Sequence, residues 1–286
     1  ITRFEPPVER FPVRVAGEAP PIDAAQFEFL TAKELKQWSS PVFAMAQVVV
    51  HRALQDAGIA IDAGLAPRTA ITFGTAVGGV DALLQGDRRL VAEGKLPGPF
   101  MNPNSCVNMV TGKVSMLSGA TGPIVCPVAA CATGAASLAT GALLIETGRA
   151  DLAICGAVDA IVVDTLLAGF ATMFGAFRSR KADDRAAGDP RLASRPLSRD
   201  RKGFVVSEGA ACLLLCSRDF AHAHGLRPRA ELAGWSMTSD ARHFVAPHLP
   251  TVRRCMEQAI ASAGIAPEDV DLINAHAAST KVGDAV

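Results

Sequence analysis

Apolar positions along the 286-residue chain fall into two patterns, short continuous runs and longer runs with helical spacing. The short runs predict buried strands at residues 68–73, 124–130, 152–155 and 211–215. Apolar residues three and four apart predict helices before and between these strands, including one over residues 132–147. Strands that alternate with helices in this way predict an α/β fold.

Two helix starts near the N-terminus have sequence signals of their own. Thr31 and Glu34 have the spacing of a capping box, which predicts a short helix ending near Trp38. Ser40 followed by Pro41 predicts the N-cap and first residue of a second helix. That second helix carries little polar surface, so we expect it to be largely buried.

The chain contains an internal resemblance at long range. A predicted helix ends at Ala57-Gly58-Ile59 and is followed by the strand at 68–73, while another ends at Ala263-Gly264-Ile265 and is followed by a predicted strand at 270–275. A repeat of this length indicates two similar α/β halves related by a pseudo-twofold axis, and not a solenoid of short repeats.

Composition excludes several classes of function. The chain is 49% hydrophobic with zero formal net charge, which favours a globular protein and gives no indication of nucleic acid or a membrane surface as partner. It has no apolar run of about 18 residues and no signal peptide, so we expect neither a membrane span nor export. Its cysteines form no paired metal-binding pattern and predict reduced thiols in a cytoplasmic protein; they are residues 106, 126, 131, 155, 212, 216 and 255.

The glycine-containing loop at residues 74–79 (Gly-Thr-Ala-Val-Gly-Gly) follows the first predicted strand. It matches neither the dinucleotide-binding pattern nor the P-loop, and no strand ending in a ribose-binding acid follows it. We therefore do not expect a nucleotide cofactor.

Cys131 lies at the predicted junction between a strand and a helix. The first turn of a helix offers unpaired N–H groups and the positive end of its dipole, which favour a thiolate over a thiol. The surrounding small residues would let a substrate approach closely. Two interpretations remain open at this point, a nucleophile and a buried small residue of the core.

Residues 130–134 (Ala-Cys-Ala-Thr-Gly) and 148–160 resemble the nucleophile region of β-ketoacyl-acyl carrier protein synthases of the thiolase fold. The similarity is to the elongating type and to the ketosynthases of polyketide assembly, and it extends over residues 52–284. It implies a layered α-β-α-β-α fold with two pseudo-symmetric halves. The first half, with the nucleophile, would take residues 1–200, and the truncated start of the second would take 201–286 within one compact unit.

His276 lies in residues 274–280 (Asn-Ala-His-Ala-Ala-Ser-Thr) at the end of the predicted strand. A single histidine at a strand end is more often structural than catalytic. The segment is similar to the family's Asn-Ala-His-Gly-Thr-Ser-Thr motif, which implies that His276 is the first of two catalytic histidines. The same resemblance implies that Thr280 contacts the pantetheine arm, that Ala278 replaces a second contacting threonine, and that Asp284 is an acid near the active site.

Residues 104–112 resemble the helix that lines the acyl pocket in the family, so Cys106 and Asn108 are predicted substrate-binding residues. Cys106 stands where a bulkier branched residue is usual, and Leu197 stands where an aromatic residue is usual. Both changes imply a deeper or wider acyl pocket. The alternative for Cys106 is simple packing in the core.

The resemblance implies a ketosynthase that condenses an acyl thioester with malonyl-acyl carrier protein in fatty acid or polyketide biosynthesis. Cys131 would carry the acyl group, and His276 with a second histidine would stabilise the enolate formed by decarboxylation. No metal or cofactor is implied, because the phosphopantetheine arm of the carrier protein is a substrate carrier. The second histidine, the rest of the oxyanion loop and an N-terminal strand have no counterpart here, so we expect either a truncated sequence or an incomplete catalyst.

The expected partners are acyl carrier protein and a second ketosynthase-like chain, in a homodimer or a heterodimer formed through the strand at 152–157. Candidate carrier-protein contacts are the basic residues Arg178, Arg180, Lys181, Arg199, Arg201 and Lys202. Two other functions remain as alternatives: a non-catalytic subunit that shapes chain length, which normally lacks the cysteine, and a thiolase-type acyltransferase, which the His276 motif disfavours.

Overall fold

The computed structural model describes residues 2–3, 13–173 and 189–286. It divides into two compact units. The first unit comprises Ala19–Ile161 and Glu208–Arg229, and the second comprises Ile1–Glu18, Val162–Ser207 and Ala230–Val286. The predicted halves at 1–200 and 201–286 remain a prediction.

The first unit contains most of the regular structure. Its helices are α1 (Ala32–Gln37), α2 (Pro41–Ala57), α3 (Val80–Val91), α4 (Met101–Ser105), α5 (Met109–Ser118), α6 (Thr133–Glu146) and α8 (Arg218–Ala223). Its strands are β3 (Thr69–Gly74), β4 (Ile124–Val125), β5 (Leu152–Asp159) and β6 (Gly209–Cys216). The second unit contains the short antiparallel strands β1 (Thr2–Arg3) and β2 (Val15–Ala16) and the helices α7 (Asp164–Thr172) and α9 (Leu249–Ala263).

The sheet of the first unit has the strand order β4-β3-β5-β6. β3 is parallel to β4 and β5, whereas β6 is antiparallel to β5. Ile154 of β5 lies opposite Ile71 of β3 and Leu214 of β6. β5 is therefore an interior strand, so our expectation that it pairs with a second copy is wrong, because both of its edges are already hydrogen-bonded.

Alternate residues of β3 pack on opposite faces of this sheet. Ile71 and Phe73 join the cluster formed by α2, α5 and β5, while Ala70 joins the cluster beneath α6. A strand covered on both faces needs a continuous apolar run, which is the pattern the sequence has. The predicted strands at 68–73, 152–155 and 211–215 are confirmed, but β4 covers only two residues of the predicted 124–130. Pro123 and Pro127 flank β4, and a proline has no N–H to donate to the ladder.

The two helix-start predictions have different outcomes. Thr31 Oγ1 accepts a hydrogen bond of 3.1 Å from the Glu34 N–H, which confirms the cap of α1. Ser40 occupies the N-cap position of α2 but makes no side-chain cap bond. Its hydroxyl donates instead to Asp81 Oδ1 at 2.5 Å. The predicted burial of α2 is confirmed, because residues such as Val42 and Phe43 are fully buried.

The helix part of the internal resemblance is confirmed. α2 and α9 both end at a left-handed glycine, Gly58 with φ +66° and Gly264 with φ +69°. Such a helix end favours glycine because a side chain is strained at positive φ. The strand part is wrong, since residues 270–275 form no strand with any described segment. Leu272 and Ile273 are 85% and 70% exposed there, since no neighbouring strand covers them within the described residues.

Among the residues that the structure describes, no helix is long and apolar enough to cross a membrane.

Candidate active site

Cys131 lies in a single 3-10 turn, Ala130–Ala132, that leads directly into α6. The predicted start of this helix is confirmed to within one residue. Cys131 is exposed, which does not fit the alternative of a buried core thiol. The Ala132 and Thr133 N–H groups donate to the Ala129 and Ala130 carbonyls. The Cys131 N–H is therefore the donor of this turn that is available to an anion beside the sulfur.

The backbone just before Cys131 is strained. Ala130 has φ +47°, a value that residues other than glycine rarely adopt and that costs about 1–3 kcal/mol. Thr133 holds this turn, because its Oγ1 accepts from the Ala129 N–H at 2.9 Å and donates to the Ala130 carbonyl at 2.8 Å. Thr133 was not among the site residues predicted from the sequence. The available signal was a threonine in the first turn of a helix, where its hydroxyl can bond to the local backbone.

Small residues bring the nucleophile turn close to the sheet. Gly74 ends β3, and a Cβ there would overlap the carbonyl oxygen of Pro127 and lie 2.6 Å from Thr133 Cγ2. On α6, a Cβ at Gly134 would lie 3.9 Å from Ala157 of β5, in ordinary contact. The close approach of backbone around Cys131 therefore depends most strictly on Gly74.

The loop after β3 binds a carboxylate from the end of β5. Asp159 Oδ1 accepts from Thr75 Oγ1 at 2.8 Å and from the Ala76 N–H at 2.9 Å. Burial raises the pKa of Asp159, whereas these hydrogen bonds act to lower it. The hydroxyl and N–H donors of the glycine-containing loop at residues 74–79 are therefore bonded to a carboxylate of the same chain.

The predicted acyl-pocket residues lie between α4 and α5. Cys106 is the C-cap of α4, Asn108 is the N-cap of α5, and both are exposed. The Cys126 Sγ makes a long contact of 3.5 Å with the Val107 carbonyl, so this segment lies against the stretch that leads to Cys131. The exposure of Cys106 does not fit simple core packing. Substrate contact by Cys106 and Asn108 remains a prediction.

In the second unit, the structure brings three predicted residues together around Asp284. The Asp284 carboxylate accepts from the Thr280 N–H and from the Leu197 N–H, each at 2.9 Å. Arg201 lies 3.5 Å from the same carboxylate, whose side chain is fully buried. Asp284 therefore ties the segment that follows His276 to the segment that contains Leu197.

Arg201 completes this connection from the other side. Its Nε donates to the Thr280 carbonyl at 2.7 Å, Nη2 to the Lys281 carbonyl at 2.9 Å and Nη1 to the Ser198 carbonyl at 3.0 Å. The Arg201 side chain is only 17% exposed and its guanidinium is directed into the unit, which does not fit an exposed basic residue, and carrier-protein contact by the basic residues remains a prediction. Arg199 and Lys202 are exposed, and Arg178, Arg180 and Lys181 lie outside the described residues.

Two further residues in this region have left-handed backbones. Leu197 has φ +62° and is 68% exposed, and Ser279 has φ +69° and is fully buried. Ser279 Oγ accepts from the Arg195 N–H at 3.0 Å, which holds the strained position. Ala278 is half-buried next to it, and His276 is exposed. Cys131 and His276 belong to different units, so their meeting in one site remains a prediction.

No group of three or more metal-ligating side chains is placed to hold a metal ion within the described parts of the chain.

The chain combines a mixed β-sheet with a helix that begins just after an exposed cysteine. Solved structures with this same fold are known. A beta-ketoacyl synthase from Burkholderia phymatum superposes with a TM-score of 0.84 at 26% identity, over 95% of this chain and 64% of that one. The ishigamide ketosynthase/chain length factor superposes with a TM-score of 0.81 at 27% identity, over 99% of this chain and 66% of that one. The fold is therefore that of the ketosynthases.

The chain belongs to the beta-ketoacyl synthase family. The model of the family's N-terminal domain matches residues 12–221, and that of its C-terminal domain matches residues 229–286. A 3-oxoacyl-[acyl-carrier-protein] synthase 2 from Synechocystis is 35% identical over 290 residues, which is 99% of this chain and 66% of that relative. The chain thus spans just under two thirds of that relative's length, and the resemblance found in the sequence is confirmed.

Proposed function

We propose that this chain carries out the acyl-transfer chemistry of a ketosynthase, which joins an acyl thioester to malonyl-acyl carrier protein in fatty acid or polyketide biosynthesis. The observation that carries the proposal is the exposed Cys131 at the first turn of α6, directly after the strained Ala130. Membership of the beta-ketoacyl synthase family and the name of the Synechocystis relative support the same reaction.

In the first half-reaction the Cys131 thiolate attacks the carbonyl carbon of an acyl thioester. A tetrahedral oxyanion forms, and the Cys131 N–H is the donor in this chain that is positioned to stabilise it. Collapse of the intermediate breaks the bond to the pantetheine sulfur, which leaves as a thiolate and takes up from the solvent the proton that the Cys131 thiol released on ionisation. The product is an acyl-Cys131 thioester.

In the second half-reaction malonyl-acyl carrier protein loses carbon dioxide. His276 donates a hydrogen bond to the thioester oxygen as enolate charge develops. The enolate carbon attacks the acyl-Cys131 carbonyl, Cys131 is released, and the chain has grown by two carbons. Thr280 contacts the pantetheine arm, whereas Ala278, which replaces a second contacting threonine, provides no hydroxyl for such a contact. Asp284 holds the Thr280 backbone in place.

Cys106, Asn108 and Leu197 form part of the acyl-binding surface in this proposal. All three are exposed. Cys106 is smaller than the branched residue that is usual in the family, and Leu197 is more flexible than the usual aromatic residue. This combination favours a wide or long acyl group. No metal or other cofactor takes part, and the pantetheine arm of acyl carrier protein delivers the substrate.

The partners we propose are acyl carrier protein and a second ketosynthase-like chain. Within the described sheet, β4 is an edge strand, and its Ile124 and Val125 are 53% and 38% exposed. A second chain can therefore pair with β4, whereas it cannot pair with β5, which already lies between β3 and β6. Seven free thiols suit the reducing conditions of the cytoplasm, which is the location we propose.

A second candidate function is that of a non-catalytic subunit that shapes chain length. The structural relative that pairs a ketosynthase with a chain length factor makes this candidate specific. Such subunits normally lack the nucleophile, so the exposed Cys131 favours the catalytic role. A thiolase-type acyltransferase is less favoured, because the segment around His276 resembles the decarboxylating enzymes.

Mass spectrometry of the intact chain after incubation with an acyl-acyl carrier protein tests the proposal. We expect an added mass equal to one acyl group, lost in Cys131→Ala and kept in Cys255→Ala, a matched control in the second unit. An acyl group that persists in Cys131→Ala would contradict the assignment of the nucleophile. A wild-type chain that takes up no acyl group would favour the non-catalytic subunit.

A further inference from the structure

The hydroxyl of Thr133 is fully engaged by the backbone on either side of Ala130. An N–H can only donate, so the 2.9 Å bond from the Ala129 N–H makes the hydroxyl an acceptor. Its single hydrogen is then directed at the Ala130 carbonyl, 2.8 Å away. The Thr133 N–H donates to that same carbonyl, and the residue is only 2% exposed.

The Ala130 carbonyl and the Cys131 N–H belong to one peptide group. A peptide group is planar, and in its trans form the C=O and N–H bonds point in opposite directions. Holding the carbonyl on the Thr133 side therefore fixes the direction of the Cys131 N–H on the other side. Hydrogen bonds to a carbonyl also polarise its peptide group, which strengthens the N–H as a donor.

The strain at Ala130 makes this support necessary. A non-glycine residue at φ +47° gains free energy by relaxing to negative φ, and such a rotation would redirect the neighbouring peptide. The two bonds of Thr133 Oγ1 span Ala130 and oppose the rotation. Gly74 allows Thr133 to reach this position, because a Cβ there would lie 2.6 Å from Thr133 Cγ2.

From this geometry we infer that Thr133 is a positioning residue that aims the Cys131 N–H at the oxyanion of the acyl-transfer step. The inference rests on the proposed function, since it assigns a role within the acylation of Cys131. Thr133 itself touches no reacting atom. It acts through the peptide group between Ala130 and Cys131.

Two reactions of the same sulfur separate this role from a general effect on Cys131. Acylation by a thioester passes through an oxyanion and needs the donor. Alkylation by iodoacetamide displaces iodide, forms no oxyanion and needs only an accessible thiolate. A residue that aims the donor affects the first rate much more than the second.

The test compares three variants of the 286-residue chain, Thr133→Val, Thr133→Ser and Thr140→Val. Thr140 lies on the same helix, and its hydroxyl donates to the Ala136 carbonyl at 2.7 Å, so it is a matched control for the loss of a helix hydroxyl. Losing an oxyanion donor outright lowers rates by about 100–1,000-fold, and a misaimed donor lowers them less. We expect Thr133→Val to lower acylation about 10–100-fold while alkylation changes by less than about threefold. Thr133→Ser should restore most of the rate, and Thr140→Val should leave both rates unchanged.

Several outcomes would overturn the inference. An equal fall in both rates would mean that Thr133 holds the sulfur or the fold and not the donor, and an unchanged acylation rate would remove the role altogether. If Thr133→Val does not fold by circular dichroism, Thr133→Ala removes the same hydroxyl and gives the same comparison. A wild-type chain that is alkylated but never acylated at Cys131 is a distinct result, because it would reject the proposed function itself.

Discussion

Replacing Arg201 by methionine is expected to loosen the segment that follows the candidate histidine. Arg201 uses three nitrogens to bind the carbonyls of Thr280, Lys281 and Ser198 at 2.7–3.0 Å, and it also neutralises the buried Asp284. Methionine keeps much of the apolar stem but provides no donor. The planar guanidinium reaches all three carbonyls at once, which a single ammonium group cannot do.

The magnitude follows from the groups left without a partner. Each hydrogen bond from a charged donor contributes about 1.5–3 kcal/mol, and an unpaired buried acceptor costs about 1–3 kcal/mol. Arg201 is 17% exposed, so water can reach part of the vacated space, and Asp284 keeps its two backbone N–H donors. We therefore expect Arg201→Met to lower the free energy of unfolding by about 2–4 kcal/mol, and Arg201→Lys to recover less than half of that loss.

Urea denaturation measures the change, and amide hydrogen exchange locates it. Exchange should accelerate at the Thr280 and Leu197 amides, which bind Asp284. Arg229→Met is the control, because Arg229 pairs with Asp56 in the first unit while 80% exposed, and we expect no measurable change there. A loss below about 0.5 kcal/mol in Arg201→Met, or unchanged exchange at those amides, would refute this account of the network.

Three further predictions concern the first unit. Gly74→Ala should destabilise the chain by about 1–3 kcal/mol in urea denaturation, since its Cβ would overlap a backbone carbonyl; an unchanged midpoint would contradict the close approach. Burial raises the pKa of Asp159 above 3.8, so the folded chain binds this proton more tightly than the unfolded chain does; the resulting contribution of Asp159 to stability is fully present below pH 3.8 and is lost as pH rises through the folded pKa. Thermal melting of wild type and Asp159→Asn should therefore show that the melting temperature of wild type, relative to that of the variant, is lower at pH 7 than at pH 4. The same difference in melting temperature at both pH values would contradict this prediction. Burial raises the pKa of Cys155 and of Cys212 to about 12, so brief iodoacetamide treatment at pH 8 should label Cys131 and leave both unlabelled in the native chain, as peptide mapping can check.

Features that depend only on neighbours along the chain could be predicted from the residue types alone. The cap at Thr31, the glycine that ends α2 at Gly58 and the start of α6 beside Cys131 are all set within one helical turn, so local residue types suffice to predict them. The apolar runs at β3 and β5 predicted strands because burial on both faces requires such runs. The motifs around Cys131 and His276 were sufficient to identify the family.

Features that depend on distant partners arise only in the folded chain. The Ser40 hydroxyl donates a hydrogen bond to Asp81 instead of capping α2. Arg201 is directed inward because the carbonyls of residues 280 and 281 lie beside it. Residues 270–275 have the apolar pattern of a strand, but a strand exists only when another segment completes its hydrogen bonds. The hydrogen bonds by which Thr133 supports the Cys131 peptide likewise depend on the positive φ of Ala130, and an alanine in the sequence does not predict such an angle. Local preferences are properties of a few adjacent residues, whereas these contacts form only after the folded chain has brought their partners within hydrogen-bonding distance.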